Sequence, residues 1–295
     1  MFTHARLRPA RWIAALAMTA TAGLAPVMTS SSADAAYSSD ACGVKIAKAT
    51  GGTWSCSFVD NFGGTSLDTT KWTAMDTSLI GFSLGDTCFI KDRGYKVGGG
   101  RLDLIAYREQ PLTCKTPWGA FQTQNVGGAI ATAGKFSQTY GRFEARIKLP
   151  SYTGVSLHGG YWMNPQDMAY GAWPASGEID VAEWFSAFAS NMYPSLHYTG
   201  STIATDTGRN CSAGKAGAYH TYAVEWSATK MDFIYDGALC FSRSWTPLLQ
   251  TAPQPFDKPF YNALVWGATV DGVDLLTDST VYPATMSVDY VKSWY

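Results

Sequence analysis

Between Gly177 and Trp184 the chain reads Gly177-Glu-Ile-Asp-Val-Ala-Glu-Trp184, which puts three carboxylates, Glu178, Asp180 and Glu183, into an apolar, partly β-branched run. Carboxylates are depleted in strands and seldom buried without a partner. A helix does not unite them: at about 100° per residue, Asp180 and Glu183 lie roughly 160° and 140° around the axis from Glu178. On a strand, side chains alternate, so Glu178 and Asp180 share a face and Glu183 takes the other. One extra residue near Val181 or Ala182 returns Glu183 to the common face, and such β-bulges re-aim side chains beside active sites. The spacing therefore predicts a bulged strand with three carboxylates on one side. With the bulge the two Glu backbones are about 13 Å apart, four strand steps.

The first 35 residues read as an export signal. Arg6, Arg8 and Arg11 precede an apolar run from Trp12 to Met28, and Ala33-Asp34-Ala35 offers small residues for cleavage. The run is short and interrupted for a membrane span, which needs about 20 apolar residues. A secreted protein (extracellular or wall-associated) with no membrane attachment is expected. The net charge is −1 for the whole chain, and removing three Arg and Asp34 makes it slightly more acidic. That balance leaves no electrostatic footprint for nucleic acid and suits a neutral polymer. All six Cys follow the signal, and an even count in an exported chain argues for three disulfides. Proximity suggests 42–56, 88–114 and 211–240. No Cys/His cluster has zinc spacing, so no metal site is assigned.

After a polar lead-in over 36–55, the signals are strands and turns. Arg101–Tyr107 alternates, as does Arg142–Leu149 with Phe143, Ala145, Ile147 and Leu149 on one face. Lys230–Tyr235 leads into Asp236-Gly237, a hairpin-turn pair, and Ala238–Phe241 follows. Met286–Trp294 is a last strand, and glycines at 63–64, 98–100 and 127–128 read as punctuation between runs. There is no long amphipathic helix, repeat or low-complexity linker. Residues 56–295 are thus expected to form one all-β sandwich domain.

Two nearby carboxylates suit glycosidic bond cleavage, where one attacks ionised and the other delivers a proton to the leaving oxygen. A retaining pair stands about 5–5.5 Å apart and an inverting pair about 6.5–9.5 Å, and sequence leaves both open. Glu178-Ile-Asp-Val-Ala-Glu183 resembles the E-x-D-x-x-E signature of glycoside hydrolase family 16, in the bulged form of its laminarinase-like (endo-β-1,3-glucanase) branch. The flanks follow in order: Phe58–Phe62 with Ser66–Trp72, Tyr140–Pro150, Tyr161-Trp-Met163, Trp173–Gly177, His197-Tyr198, His220–Trp226 and Val288–Val291. The resemblance implies a β-jelly roll of two antiparallel sheets with a substrate cleft across the concave face. It implies a retaining endo-glycosidase acting on a β-linked polysaccharide, β-1,3-glucan first. A β-galactan or other β-glycan, transglycosylation, and a non-catalytic carbohydrate-binding protein are the alternatives. By position Glu178 resembles the nucleophile and Glu183 the acid/base, with Asp180 tuning the nucleophile.

Trp162, Trp173, His197 and Trp266 are the substrate-binding candidates. Aromatic faces stack on sugars but also fill sandwich cores, so each Trp has two readings. The chemistry requires no cofactor. Asp289 resembles an Asp that in many members helps hold a structural calcium, and one carboxylate does not make a site. A monomer is expected. The chain departs from the laminarinase pattern at Ala182, usually Met, at Leu157-His-Gly-Gly160, and at Ala263–Gly272. These positions shape the cleft and leave the glycan open, and His158 reads as a stand-in for a missing aromatic platform.

Overall fold

The computed structural model describes residues 41–43, 45–151, 156–268 and 281–295. The export signal and residues 269–272 of the altered loop lie outside them. In chain order the strands are β1 (Cys56–Asp60), β2 (Thr73–Ala74), β3 (Cys88–Phe89), β4 (Tyr95–Val97), β5 (Leu102–Thr116), β6 (Gly119–Ala131), β7 (Gly141–Lys148), β8 (Leu157–Pro165), β9 (Glu178–Phe185), β10 (Asn191–Met192), β11 (Ser195–His197), β12 (Cys211–Ser212), β13 (Tyr219–Trp226), β14 (Met231–Tyr235), β15 (Ala238–Arg243), β16 (Phe260–Ala268) and β17 (Ala284–Trp294). Helical structure among the described residues is limited to Thr77–Ile80, Ile203–Asp206 and a 3-10 turn at Ser186–Phe188.

Two sheets form a β-jelly-roll sandwich. One runs β11-β9-β8-β16-β6 and the other β5-β17-β7-β13-β14-β15. The long strands β5 and β6 join them. β5 pairs with β17 through Leu102–Ala106 and with β6 from Tyr107 on, and β6 pairs with β16 through Gly128–Ala131. The pairing is antiparallel except where β3 runs parallel to β6. The alternation read from 142–149 holds: Phe143, Ala145 and Ile147 of β7 are buried in the core between the sheets. Arg142 and Glu144 on the opposite face are buried too, because Arg142 bridges Glu144 and Glu225. Facing the β7 residues from the first sheet are Tyr161, Met163, Ile179, Val181, Trp184, Leu264 and Trp266. Each large apolar side chain removed from water there contributes about 1.5–3 kcal/mol.

All three disulfides pair as proximity suggests: Cys42–Cys56, Cys88–Cys114 and Cys211–Cys240. The first ties part of the lead-in to the sandwich, where Cys42, Cys56, Val59 and Trp294 pack with Ile46 and Trp54. The Asp236-Gly237 turn has positive φ at both residues, as a tight hairpin turn requires. Gly127 and Gly128, in contrast, do not punctuate. They lie inside β6, where a Cβ on Gly128 would sit 1.9 Å from the Gly94 carbonyl oxygen and one on Gly127 would sit 2.5 Å from that of Trp266. These glycines allow backbones to approach closely, a second use of glycine in strands.

Candidate active site

β9 carries the three carboxylates, and its register against β8 shows the bulge. Tyr161 faces Ala182 and Trp162 faces Asp180, so Val181 is the extra residue. Glu178, Asp180 and Glu183 consequently share the concave face. The bulge is held from both sides. Opposite Glu183 stands Gly160, where a Cβ would come within 1.9 Å of the Ala182 carbonyl oxygen. From the other sheet, the buried Tyr235 hydroxyl donates to the Val181 carbonyl at 2.7 Å. A bulge leaves a residue without its ladder partner, and this bond satisfies the stranded carbonyl.

The three carboxylates have different neighbours. Glu178 accepts from Trp173 Nε1 at 2.6 Å and from Asn164 Nδ2 at 3.0 Å, one bond to each oxygen. Asp180 is buried, and its Oδ2 lies 2.8 Å from His197 Nε2. Glu183 is partly exposed, and its Oε1 lies 2.8 Å from His158 Nε2. Burial pushes Asp180 up to about 8, with Glu178 and Glu183 adding to the rise and His197 opposing it. Burial disfavours a charged His197, but the Asp180 carboxylate overrides it and raises the imidazole to about 10. The Asp180–His197 pair thus keeps at least one proton through neutral pH.

This pair carries a stability prediction. His197 is raised above its ordinary 6.5, so its contribution is complete below about pH 6.5 and is lost as pH rises through about 10. Asp180, raised above 3.8, acts in the same direction through about 8. The melting temperature should therefore fall between pH 6.5 and 10, and Asp180→Asn, which removes the Asp180 titration and the largest cause of the rise at His197, should flatten that slope. A thermal scan followed by circular dichroism at each pH reads it, and equal alkaline slopes in the two proteins would contradict the assignment.

The substrate-binding candidates divide. Trp173, on the loop before β9, is 37% exposed, and its ring stands 5.7 Å from His197. His197 is the register partner of Glu178 on β11. Trp162 lies on the same face beside Asp180 with 6% exposure, packed with Leu84, Phe89, Ala131 and Ala263. Trp266 is a correction. It is fully buried, stacks on Trp184 inside the sandwich, and donates its Nε1 to the Ala284 carbonyl. Its neighbour Val265 occupies the concave face instead, so alternation along β16 turns Trp266 inward. Beyond Trp162, Ala263 and Val265 of β16 and Ala129 and Ala131 of β6 are buried against Leu84 and Phe89. The open part of the concave face is therefore over β11, β9 and β8.

Two side chains join the site that the sequence reading missed or placed differently. Asn164 holds Glu178, and His158, read from sequence as a stand-in for a missing aromatic platform, contacts Glu183. Asn164 and His158 lie two and four residues from Trp162 on the same β8 face, so period-two counting outward from Trp162 reaches them. Glu178, Asp180 and His197 are ligand-type side chains whose donor atoms lie within 4.8 Å of one another. Those atoms are already engaged with one another, with Trp173 and with Asn164. Asp289 accepts from Arg146 Nη1 at 2.6 Å on β7.

The chain as a whole resembles known proteins. A glucan endo-1,3-β-glucosidase A1 from Niallia circulans is 31% identical over 79% of this chain and 36% of its own length. A keratan-sulfate endo-1,4-β-galactosidase from Sphingobacterium multivorum is 29% identical over 81% of this chain and 54% of its own. The chain thus spans less than two thirds of either relative. The crystal structure of the laminarinase from Rhodothermus marinus superposes with a TM-score of 0.67 at 26% identity, covering 82% of this chain and 97% of that one. Residues 95–291, which include the bulged carboxylate strand, match the model of the glycosyl hydrolases family 16, and the chain belongs to that family of glycoside hydrolases.

Proposed function

We propose that this chain is an exported endo-acting hydrolase of β-1,3-glucan that works with retention, using Glu178 as nucleophile and Glu183 as acid/base. The observation that carries the roles is the unlike setting of two glutamates on one face, on either side of buried Asp180. Two N–H donors on Glu178 suit a carboxylate that attacks ionised. Glu183, with one imidazole contact and partial exposure, is placed to exchange a proton with a leaving group and then with water.

In the first step Glu178 attacks the anomeric carbon, the glycosidic C–O bond breaks, and Glu183 gives its proton to the departing oxygen. In the second step Glu183 takes a proton from water, which attacks the anomeric carbon and releases Glu178. Asp180 with His197 keeps a proton beside the nucleophile and limits the charge that gathers there. Trp173, partly exposed, offers an indole face to the sugar, and no cofactor enters the chemistry. The three disulfides support the export reading.

The β-1,3 assignment draws on the relative named for that linkage. A β-galactan is the second reading, favoured by the galactosidase relative and by His158 and Gly160 in place of the laminarinase pattern. Product analysis on laminarin, mixed-linkage glucan, agarose and keratan sulfate separates them. Oligosaccharides released from laminarin early in the reaction are expected. Release from a galactan alone would replace the substrate while leaving the chemistry in place.

A further inference from the structure

His158 departs from the family pattern and touches a proposed reacting group, and it has no part in the double displacement above. It sits on β8 with Phe185 as its cross-strand partner, and the two rings stack at 4.1 Å with 17° between planes. The stack sets the imidazole so that Nε2 meets Glu183 Oε1 at 2.8 Å. On the other side its register partner on β16 is Gly267, above which Thr87 packs. Glu183 is the titratable group it contacts among the described residues. Asp180, Glu178 and His197 stand farther along the β9 and β11 face. Asp86, next to Thr87, is taken up by Asn125 Nδ2.

We propose that His158 is the positioning residue of the acid/base. Its Nε2–H donates to Oε1 of Glu183, so that Oε1 belongs to the scaffold and the catalytic proton is carried on Oε2, toward the substrate. The inference rests on the assignment of Glu183 as acid/base. A carboxyl group with two free oxygens can present its proton in several rotamers, and only one faces the leaving oxygen. An imidazole locked on Phe185 removes that freedom, and misorientation of a reacting group is costly in rate. The same bond follows Glu183 through both steps. It accepts from Nε2–H while Oε2 is protonated and again when the proton has gone to the leaving oxygen.

The test compares His158→Phe, which keeps a ring on Phe185 and loses the donor, with His158→Gln, which keeps an N–H. Substrates are aryl β-glycosides of the preferred oligosaccharide, one with a poor leaving group and one with a good one. For the poor leaving group His158→Phe should lower kcat about tenfold or more with KM nearly unchanged. The good leaving group, which needs little protonation in the first step, should keep close to the wild-type kcat/KM, and His158→Gln should recover most of the loss seen with the poor one.

Equal losses in kcat/KM for both leaving groups, or a Gln variant as impaired as the Phe variant, would overturn the proposal. A rise in KM alone would instead make His158 a sugar contact and would also overturn it. Should wild type cleave neither glycoside while Glu183→Ala behaves like wild type on every polysaccharide, it is the acid/base assignment that fails. Thermal melts of both variants separate folding loss from these kinetic outcomes.

Discussion

Glu178→Ala should lower kcat on the preferred polysaccharide on the order of 10⁴-fold or more, since removing a nucleophile strips away a whole covalent step. The rest of the site explains why little else would take over. Asp180 lies two residues along on the same face, but it is buried and its Oδ2 is bonded to His197. Asn164 and Trp173 would be left without their acceptor and cannot supply a nucleophile. The space vacated by the side chain should admit azide, which would attack from the same side and yield the glycosyl azide of inverted configuration. Glu183→Ala should behave differently. It should be slow on polysaccharide, far less impaired on an aryl glycoside with a good leaving group, and should give the retained azide product, because Glu178 still forms the ester. Chromatography and anomeric coupling constants of the azides read the outcome. Retained azide from Glu178→Ala and inverted azide from Glu183→Ala would mean that the two roles are exchanged.

The bulge was legible because a face-sharing pair two residues apart followed by a third carboxylate three residues on admits few other strand geometries. The disulfides were legible because the six cysteines fall into three neighbouring pairs, separated by 14, 26 and 29 residues in sequence. What sequence could not deliver was direction. Trp266 and Trp162 are both tryptophans on strands of the same sheet, and only the register shows one stacked inside the sandwich and the other beside Asp180. His158 and Asn164 depend on the same information, since their worth lies in facing Glu183 and Glu178 across β8 and β9. Gly127-Gly128 misled for a related reason. Glycine marks turns through its dihedral freedom and close approach through its missing Cβ, and a single sequence does not say which is in use.

Gly160→Ala carries the second large expected effect, and it tests whether the bulge itself is a catalytic requirement. The added Cβ would lie 1.9 Å from the Ala182 carbonyl oxygen, 3.0 Å from that carbonyl carbon and 3.2 Å from the Glu183 Cα, all backbone atoms with no rotamer to yield. Gly160 also has φ of 152°, which alanine rarely adopts. Relief must come from moving the β9 backbone at the residue that aims Glu183. From behind, the Tyr235 hydroxyl on the Val181 carbonyl resists that movement, so the displacement should fall on Glu183. A shift of about 1 Å in a reacting group can cost on the order of 10²-fold in rate, and overpacking of this kind destabilises by about 1–3 kcal/mol. Gly159→Ala is the matched control. Its Cβ would meet the Val265 carbonyl oxygen at 2.2 Å, so it strains β16 rather than β9. Both variants should melt several degrees lower, but the fall in kcat per folded molecule should be confined largely to Gly160→Ala. Folded Gly160→Ala with wild-type kcat, or equal kinetic losses in the two variants, would show that Glu183 does not depend on the bulge for its aim.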